Sequence, residues 1–178
     1  MKKFFLAIVA IVIASASANA AHRVDSDGNT VYHYFIVPLQ YQMETFDFPK
    51  ESSMYGAGLV ITSLSHWGKF HVGANMNLSI NAGIVDDSGM IIDFGPSARY
   101  DLVDKRLFIN MPVNVSCACY WPEGTTGTQT SWGMRITPSL YAFITDHIGI
   151  FAGPQVNFGF SSGSKASFGM QAGVAISF

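Results

Sequence analysis

The sequence has 178 residues, a formal net charge of −2 and only 12% charged residues, against about 25% in a typical soluble domain. The length fits one domain. No basic patch is present that could neutralise phosphates, so nucleic acid is not expected as a partner. Beyond the N-terminal segment, no apolar run approaches the roughly 20 residues of a membrane-spanning helix. A chain this poor in charge must hide its apolar surface in another way.

The N-terminus has the pattern of a secretory signal peptide. A basic start at Lys2–Lys3 is followed by the apolar run Phe4–Ala14. Small residues stand at the two positions that a signal peptidase reads, Ala18 and Ala20. The apolar run is too short to anchor the chain comfortably in a membrane. We therefore expect residues 1–20 to be cleaved.

Within residues 21–178, several segments alternate between apolar and other side chains, as β-strands with two unlike faces do. The first two segments, Val31–Met43 and Met54–Trp67, show the pattern less regularly. In Phe70–Ile80, for example, every second residue is apolar. The pattern predicts eight strands of the length that a tilted membrane strand needs. They are Val31–Met43, Met54–Trp67, Phe70–Ile80, Ile92–Leu102, Leu107–Cys119, Trp132–Ile144, Ile148–Phe160 and Ala166–Phe178.

The composition of the two faces indicates which one meets water. A soluble barrel would carry many Lys and Glu on its polar faces, but here these faces hold Gly, Asn, Ser, Thr and Gln. Their charges are almost confined to Asp93, Arg99, Asp101 and Arg135. Small polar side chains suit the narrow lumen of an eight-stranded barrel. The apolar faces then form a lipid-facing band, and closing the sheet pairs all backbone groups.

Connections between the strands alternate in length. Short turns are predicted at Ser65–Lys69, Val103–Arg106 and Thr145–His147, and longer loops at Glu44–Ser53, Ala82–Gly89 and Tyr120–Ser131. The short connection Ser161–Ser164 is an exception to this alternation. Short turns at one end and long loops at the other are typical of outer-membrane barrels, whose short turns are periplasmic. With eight strands, both termini are expected on the periplasmic side.

The last eight residues, "QAGVAISF", resemble the C-terminal assembly signal of bacterial outer-membrane proteins. Gln171, Gly173, Ile176 and Phe178 occupy its polar, glycine, apolar and terminal aromatic places. Together with the signal peptide and the strand pattern, they make the chain similar to the OmpA membrane domain and OmpX class of eight-stranded outer-membrane β-barrels. The resemblance implies a monomer surrounded by outer-membrane lipid and lipopolysaccharide, with the barrel-assembly machinery as partner of the last strand.

Four charged positions share the inward parity. Asp93 and Arg135 lie at similar depth with one strand between them, which predicts an ion pair across the lumen. Arg99 lies lower, near Asp101 and His147. Because buried charges need partners, the default interpretation is a structural plug. The alternative is a gate or selectivity ring for small solutes.

No catalytic, cofactor or metal site is predicted. Nucleophilic catalysis needs a nucleophile, a base and an orienting group within reach. His71 is inside the barrel, where the sequence fixes no Ser or acid near it, and it is expected to bond to neighbouring amides. Cys117 and Cys119 have too few further ligands nearby for a metal site. They are expected to be free and lipid-facing, or strained into a bridge if the strand has ended.

Three functions remain open from the sequence. The preferred one is a non-enzymatic outer-membrane barrel with a structural role or an interaction role, exerted through the loops at Glu44–Ser53 and Tyr120–Ser131. The second is a narrow pore for small solutes. The third is a barrel enzyme that modifies lipid or lipopolysaccharide.

Overall fold

The computed structural model describes residues 23–24, 30–31, 33–44, 52–63, 69–80, 88–103, 106–121, 127–160 and 166–177. The predicted signal peptide with Ala18 and Ala20, the terminal Phe178 and most of the predicted long loops lie outside these residues. Within the described ranges, no helix is long and apolar enough to cross a membrane.

The described residues are almost entirely β-strand. The strands are β1 (Arg23–Val24), β2 (Thr30–Val31), β3 (His33–Glu44), β4 (Ser52–Ser63), β5 (Phe70–Ile80), β6 (Ser88–Val103), β7 (Leu107–Trp121), β8 (Gln129–Ile136), β9 (Ser139–Phe143), β10 (Ile148–Gly159) and β11 (Ala166–Ser177). The short strands β1 and β2 pair only with each other, whereas β3 to β11 form one sheet.

That sheet closes into an antiparallel up-and-down barrel. Consecutive strands pair along the chain, and β11 pairs with both β10 and β3, which closes the ring. The registers are staggered: following hydrogen-bonded partners once around the ring returns to β3 about ten residues further along. This stagger tilts the strands and leaves room in the lumen for side chains and little else.

One predicted strand, Trp132–Ile144, is interrupted. It is divided into β8 and β9 at Thr137–Pro138, because proline has no backbone N–H for the ladder. The two halves keep one register, since both pair with β7 on one side and β10 on the other. Thr137 N instead donates to Pro112 O at 3.3 Å. The prediction of eight strands is therefore confirmed for the ring, with one strand built in two pieces.

The two faces of the wall are as predicted. On β5, Phe70 and Met76 point outward and are 39% and 56% exposed, while Asn75 and Asn77 point inward and are buried. The outward positions of β5 to β11 carry no charged side chain. Free Cys117 and Cys119 are among these outward residues and are half-buried.

The lumen contains more apolar material than the sequence pattern indicates. At the end of the barrel that carries the turn 144–147, seven buried residues form a cluster: Ile36, Val60, Phe108, Tyr141, Phe143, Phe151 and Ala175. We call its four rings the aromatic floor. A smaller buried cluster inside the barrel is formed by Met54, Ile91 and Ala118. The inward faces were described from the sequence as holding Gly, Asn, Ser, Thr and Gln with a few charges, and at these positions they hold apolar side chains instead.

Candidate functional site

The centre of the lumen holds a buried ion pair. Arg135 Nη1 lies 2.6 Å from Asp93 Oδ2, and each side chain is 1% exposed. The two residues project from β8 and β6, on either side of β7. Two opposite charges at this distance neutralise each other, which offsets much of the free energy required to remove both from water.

Side chains on three further strands, β5, β7 and β10, form hydrogen bonds with the two residues of the ion pair. Asp93 accepts from Ser116 Oγ at 2.5 Å and from Asn77 Nδ2 at 3.1 Å. Arg135 Nε donates to Asn157 Oδ1 at 2.8 Å. Each of these partners lies directly opposite an ion-pair residue in the strand register. Sequence reasoning missed them because the register between strands was not known.

Arg99 belongs to a separate cluster. Its Nε donates to Asp101 Oδ1 at 2.6 Å, and His71 Nε2 lies 3.1 Å from Asp101 Oδ2. Because a carboxylate only accepts, the bonded nitrogen of His71 carries the proton. His71 was expected to bond to neighbouring amides, but its partner is the carboxylate of Asp101. His147, expected near Arg99, instead places Nδ1 3.2 Å from the carbonyl oxygen of Ser177.

The aromatic floor lies directly against this second cluster. The guanidinium carbon of Arg99 is 3.7 Å from the ring centroid of Phe108. Phe108 stacks on Tyr141 and Phe143 with centroids 5.0 and 5.9 Å apart, and Tyr141 stacks on Phe151 at 4.9 Å. Four stacked rings with a cation on one face fill this section of the lumen.

Between the central ion pair and the floor lies a small polar chamber. Its volume is about 20 Å³, on the order of what one buried water occupies. The walls are formed by Pro38, Gln40, Asn75, Asn77, Asp93, Pro112, Asn114, Arg135, Thr137, Ser139, Tyr141 and Gln171. Apart from the mutually neutralised Asp93 and Arg135, these walls are uncharged.

Three residues of the predicted assembly signal are within β11. Gln171 points inward and its Nε2 donates to Ser139 Oγ at 2.8 Å. Gly173 also faces the lumen, where a Cβ would collide with the carbonyl oxygen of Leu39. Ile176 is half-buried on the outer face. The signal thus places a polar residue and a glycine inside and an apolar residue outside.

The described residues contain no cluster of three or more His, Cys, Asp or Glu that could hold a metal ion. The inward groups are instead joined to one another as pairs and networks of hydrogen bonds. Such an arrangement can fix the relative positions of neighbouring strands and obstruct the lumen.

No protein-family model and no curated protein matches the sequence. Three solved structures are similar in fold. They are the Neisserial surface protein A, NspA (TM-score 0.57, 15% identity), the N-terminal β-barrel domain of Pseudomonas aeruginosa OprF (0.59, 13%) and Ail, the attachment invasion locus protein of Yersinia pestis (0.56, 9%). Each match covers 82% of this chain and 97% of the other.

At these identities the likeness concerns the fold. It agrees with the closed ring of eight antiparallel strands, in which β8 and β9 together count as one, and with the apolar outer wall and the polar lumen described above. The chain has the fold of the small eight-stranded outer-membrane β-barrels.

Proposed function

We propose that this protein is a non-catalytic, non-conducting barrel of the bacterial outer membrane that acts through its wall and its external loops. The observation that carries the proposal is the combination of a charge-free outer wall with a lumen blocked by the Asp93–Arg135 ion pair and the aromatic floor. The wall fits lipid, and the lumen offers little free volume for a solute.

The outer wall supports a location in the membrane. Exposed apolar residues continue around the ring, from Tyr41 and Met76 to Ile150 and Val174, and a soluble protein rarely shows so large an apolar surface. Cell fractionation with and without detergent tests this part, together with a heat-dependent shift on gels. A chain that fractionates as soluble and shows no shift would contradict it.

The termini are proposed to be periplasmic and the longer loops external. The described short turn at 144–147 and the end of β11 lie at one end of the barrel, where Ser177 N donates to the carbonyl oxygen of His147 at 2.8 Å. In outer-membrane barrels the short turns face the periplasm. Protease added to whole cells should cut within residues 122–126 and leave a tag at the C-terminus intact.

The blocked lumen favours a protein that does not conduct. Eight strands usually enclose a lumen filled by side chains, and the chamber of about 20 Å³ holds on the order of one water. The refolded chain in a planar bilayer is therefore expected to show no discrete conductance. Steady single-channel openings would favour the second candidate, a narrow pore gated at Asp93 and Arg135.

The predicted loops at Glu44–Ser53 and Tyr120–Ser131 are the proposed interaction surface. NspA is named a surface protein and Ail an attachment invasion locus protein, and these names support a role of the loops at the cell surface. The structural role and the interaction role can be separated by complementing a deletion strain. The complementing chain carries Gly-Ser linkers in place of both loops. Rescue of envelope integrity by that chain indicates a structural role, and failure despite normal assembly indicates interaction through the loops.

The surroundings of His71 give no support to an enzyme that modifies lipid. Among the described residues, its ring bonds to Asp101 and to no Ser or Thr hydroxyl, so His71 is not paired with a nucleophile for acyl transfer. The proposed partners are the surrounding lipid and lipopolysaccharide and, for β11, the barrel-assembly machinery. Unaltered lipid A and phospholipids in a deletion strain would agree with this; a lost lipid modification would overturn it.

A further inference from the structure

Two amide oxygens in the polar chamber have no hydrogen-bond donor. Asn77 Oδ1 and Asn114 Oδ1 are both buried, and neither has a partner among the described residues. Both side chains line the chamber. Since a buried acceptor without a donor is destabilising, buried polar groups in folded proteins almost always have a partner, which is often an ordered water.

The orientation of the Asn77 amide is fixed by chemistry. Its Nδ2 donates to Asp93 Oδ2 at 3.1 Å and to Ser79 Oγ at 3.0 Å. A carboxylate can only accept, so the nitrogen and not the oxygen must face Asp93. The oxygen consequently points to the other side, toward Gly58, where an added Cβ would lie 3.4 Å from it. That Cβ would also lie 3.1 Å from Pro38 Cγ, and Pro38 lines the chamber together with Asn77.

The chamber has room for a donor. Its volume of about 20 Å³ exceeds the roughly 10–15 Å³ that one water requires. A water there would also have polar neighbours, because Gln40, Ser139 and Gln171 line the same walls. Two to four polar partners are what a buried water normally has.

We propose that the chamber is a built water site, in which one ordered water donates to Asn77 Oδ1 and Asn114 Oδ1. A monovalent cation would also be drawn to amide oxygens, but Arg135 lines the same chamber and Asp93 is already neutralised by it. An uncharged donor therefore fits better than a cation. The inference rests on the fold and the lumen contacts and is independent of the role proposed for the loops.

The test is solution NMR on the full chain refolded in detergent micelles. The Nδ2 protons of Asn77 should show cross-peaks to water with the sign of a long-lived bound molecule. Asn114→Leu removes one acceptor and fills the space, and should abolish these cross-peaks while leaving the backbone spectrum of the barrel intact. Asn110→Leu is the matched control, because Asn110 is a buried inward residue on the same strand but does not line the chamber; it should leave the cross-peaks unchanged.

Several results would overturn the proposal. If the unaltered chain shows no cross-peak between water and Asn77 Nδ2, the chamber is dry. Cross-peaks that persist in a folded Asn114→Leu chain would place the water elsewhere. An anomalous rubidium peak between the two amide oxygens, in crystals grown with rubidium chloride, would replace water with a cation. The first and third results need no variant, so they remain decisive if Asn114→Leu fails to fold.

Discussion

The guanidinium of Arg99 lies over the ring of Phe108, with 3.7 Å between the guanidinium carbon and the ring centroid. The same guanidinium donates to Asp101. One side chain thus joins the buried charges of this section to the four stacked rings of the aromatic floor. Near the turn end of the barrel, Asp101, Arg99 and the aromatic floor therefore contact one another in sequence and together fill the lumen.

Replacing Phe108 by Leu should expose this coupling. The change keeps an apolar side chain but removes the stacking on Tyr141, worth about 0.5–1.5 kcal/mol, and a desolvated cation–π contact, worth about 2 kcal/mol. We expect the free energy of unfolding to fall by about 2–4 kcal/mol in urea titrations in lipid vesicles. Phe94→Leu is the control, because Phe94 faces outward and is 51% exposed. Equal losses for the two variants would contradict a special role of the floor.

Substitutions of Asp101 and His71 should differ in severity. Asp101→Asn breaks the buried ion pair between Asp101 and Arg99 by removing the negative partner, and breaking a buried pair in this way typically costs about 3–5 kcal/mol. His71→Gln removes one hydrogen bond from Asp101 while Arg99 still donates to it, so the expected loss is about 1 kcal/mol. Urea midpoints of both chains measure the order, and a larger loss for His71→Gln would contradict it.

The central ion pair should behave as a unit. Asp93→Ala and Arg135→Ala each break the buried ion pair by removing one of its partners, and each should lower the free energy of unfolding by about 3–5 kcal/mol. The double variant should lose clearly less than the two single losses combined, because both charges are then gone. Additive losses would show that the two residues are energetically independent despite the distance of 2.6 Å.

Conductance measurements on the same two variants test whether the Asp93–Arg135 pair is the gate of a pore. With the aromatic floor intact in Asp93→Ala and Arg135→Ala, the lumen is still filled below the removed pair. We therefore expect planar-bilayer traces of both variants to be as silent as those of the unaltered chain. Channels that open only in the variants would identify the ion pair as the gate of a pore.

Much of the fold could be predicted from the sequence because a barrel wall has only two faces. The period of two assigns each residue to one face, and the scarcity of charge identifies the apolar face as the outer one. For this reason the outward position of Met76 and the inward position of Asp93 were predictable from their neighbours alone. The effect of Pro138 was predictable in kind, since proline lacks a donor, but not in extent.

The contacts inside the lumen could not be predicted in the same way. They depend on the register between strands, which the period of two does not determine. Asp93 meets Asn77 and Ser116 only because β5, β6 and β7 pair in the register observed. The aromatic floor was missed for another reason. Its members, among them Phe108 and Phe151, stand on the face that otherwise carries small polar residues, so the alternation gave no signal for them.

A charge on the outer wall tests the lipid-facing assignment. Met76 lies near the middle of β5 and is 56% exposed, so Met76→Arg should cost about 2–4 kcal/mol in a bilayer. Ile148→Arg is the matched control, because Ile148 begins β10 at the turn end, where the cost should be about 0–1 kcal/mol. Unfolding titrations in vesicles give both values. A chain indifferent to both substitutions would not be surrounded by lipid at this wall.

The close approach of β6 and β7 at Gly95 gives a sharply localised prediction. A Cβ built on Gly95 would collide with the carbonyl oxygen of Val113, which is backbone and cannot turn away. Gly95→Ala must therefore push the two strands apart beside the central ion pair, and overpacking of this kind typically costs about 1–3 kcal/mol. Gly127, in the connection before β8, has open space where its Cβ would lie. Gly127→Ala is the control and should leave the urea midpoint and the gel shift unchanged. If Gly95→Ala is as stable as Gly127→Ala, β6 and β7 do not approach each other as closely as described.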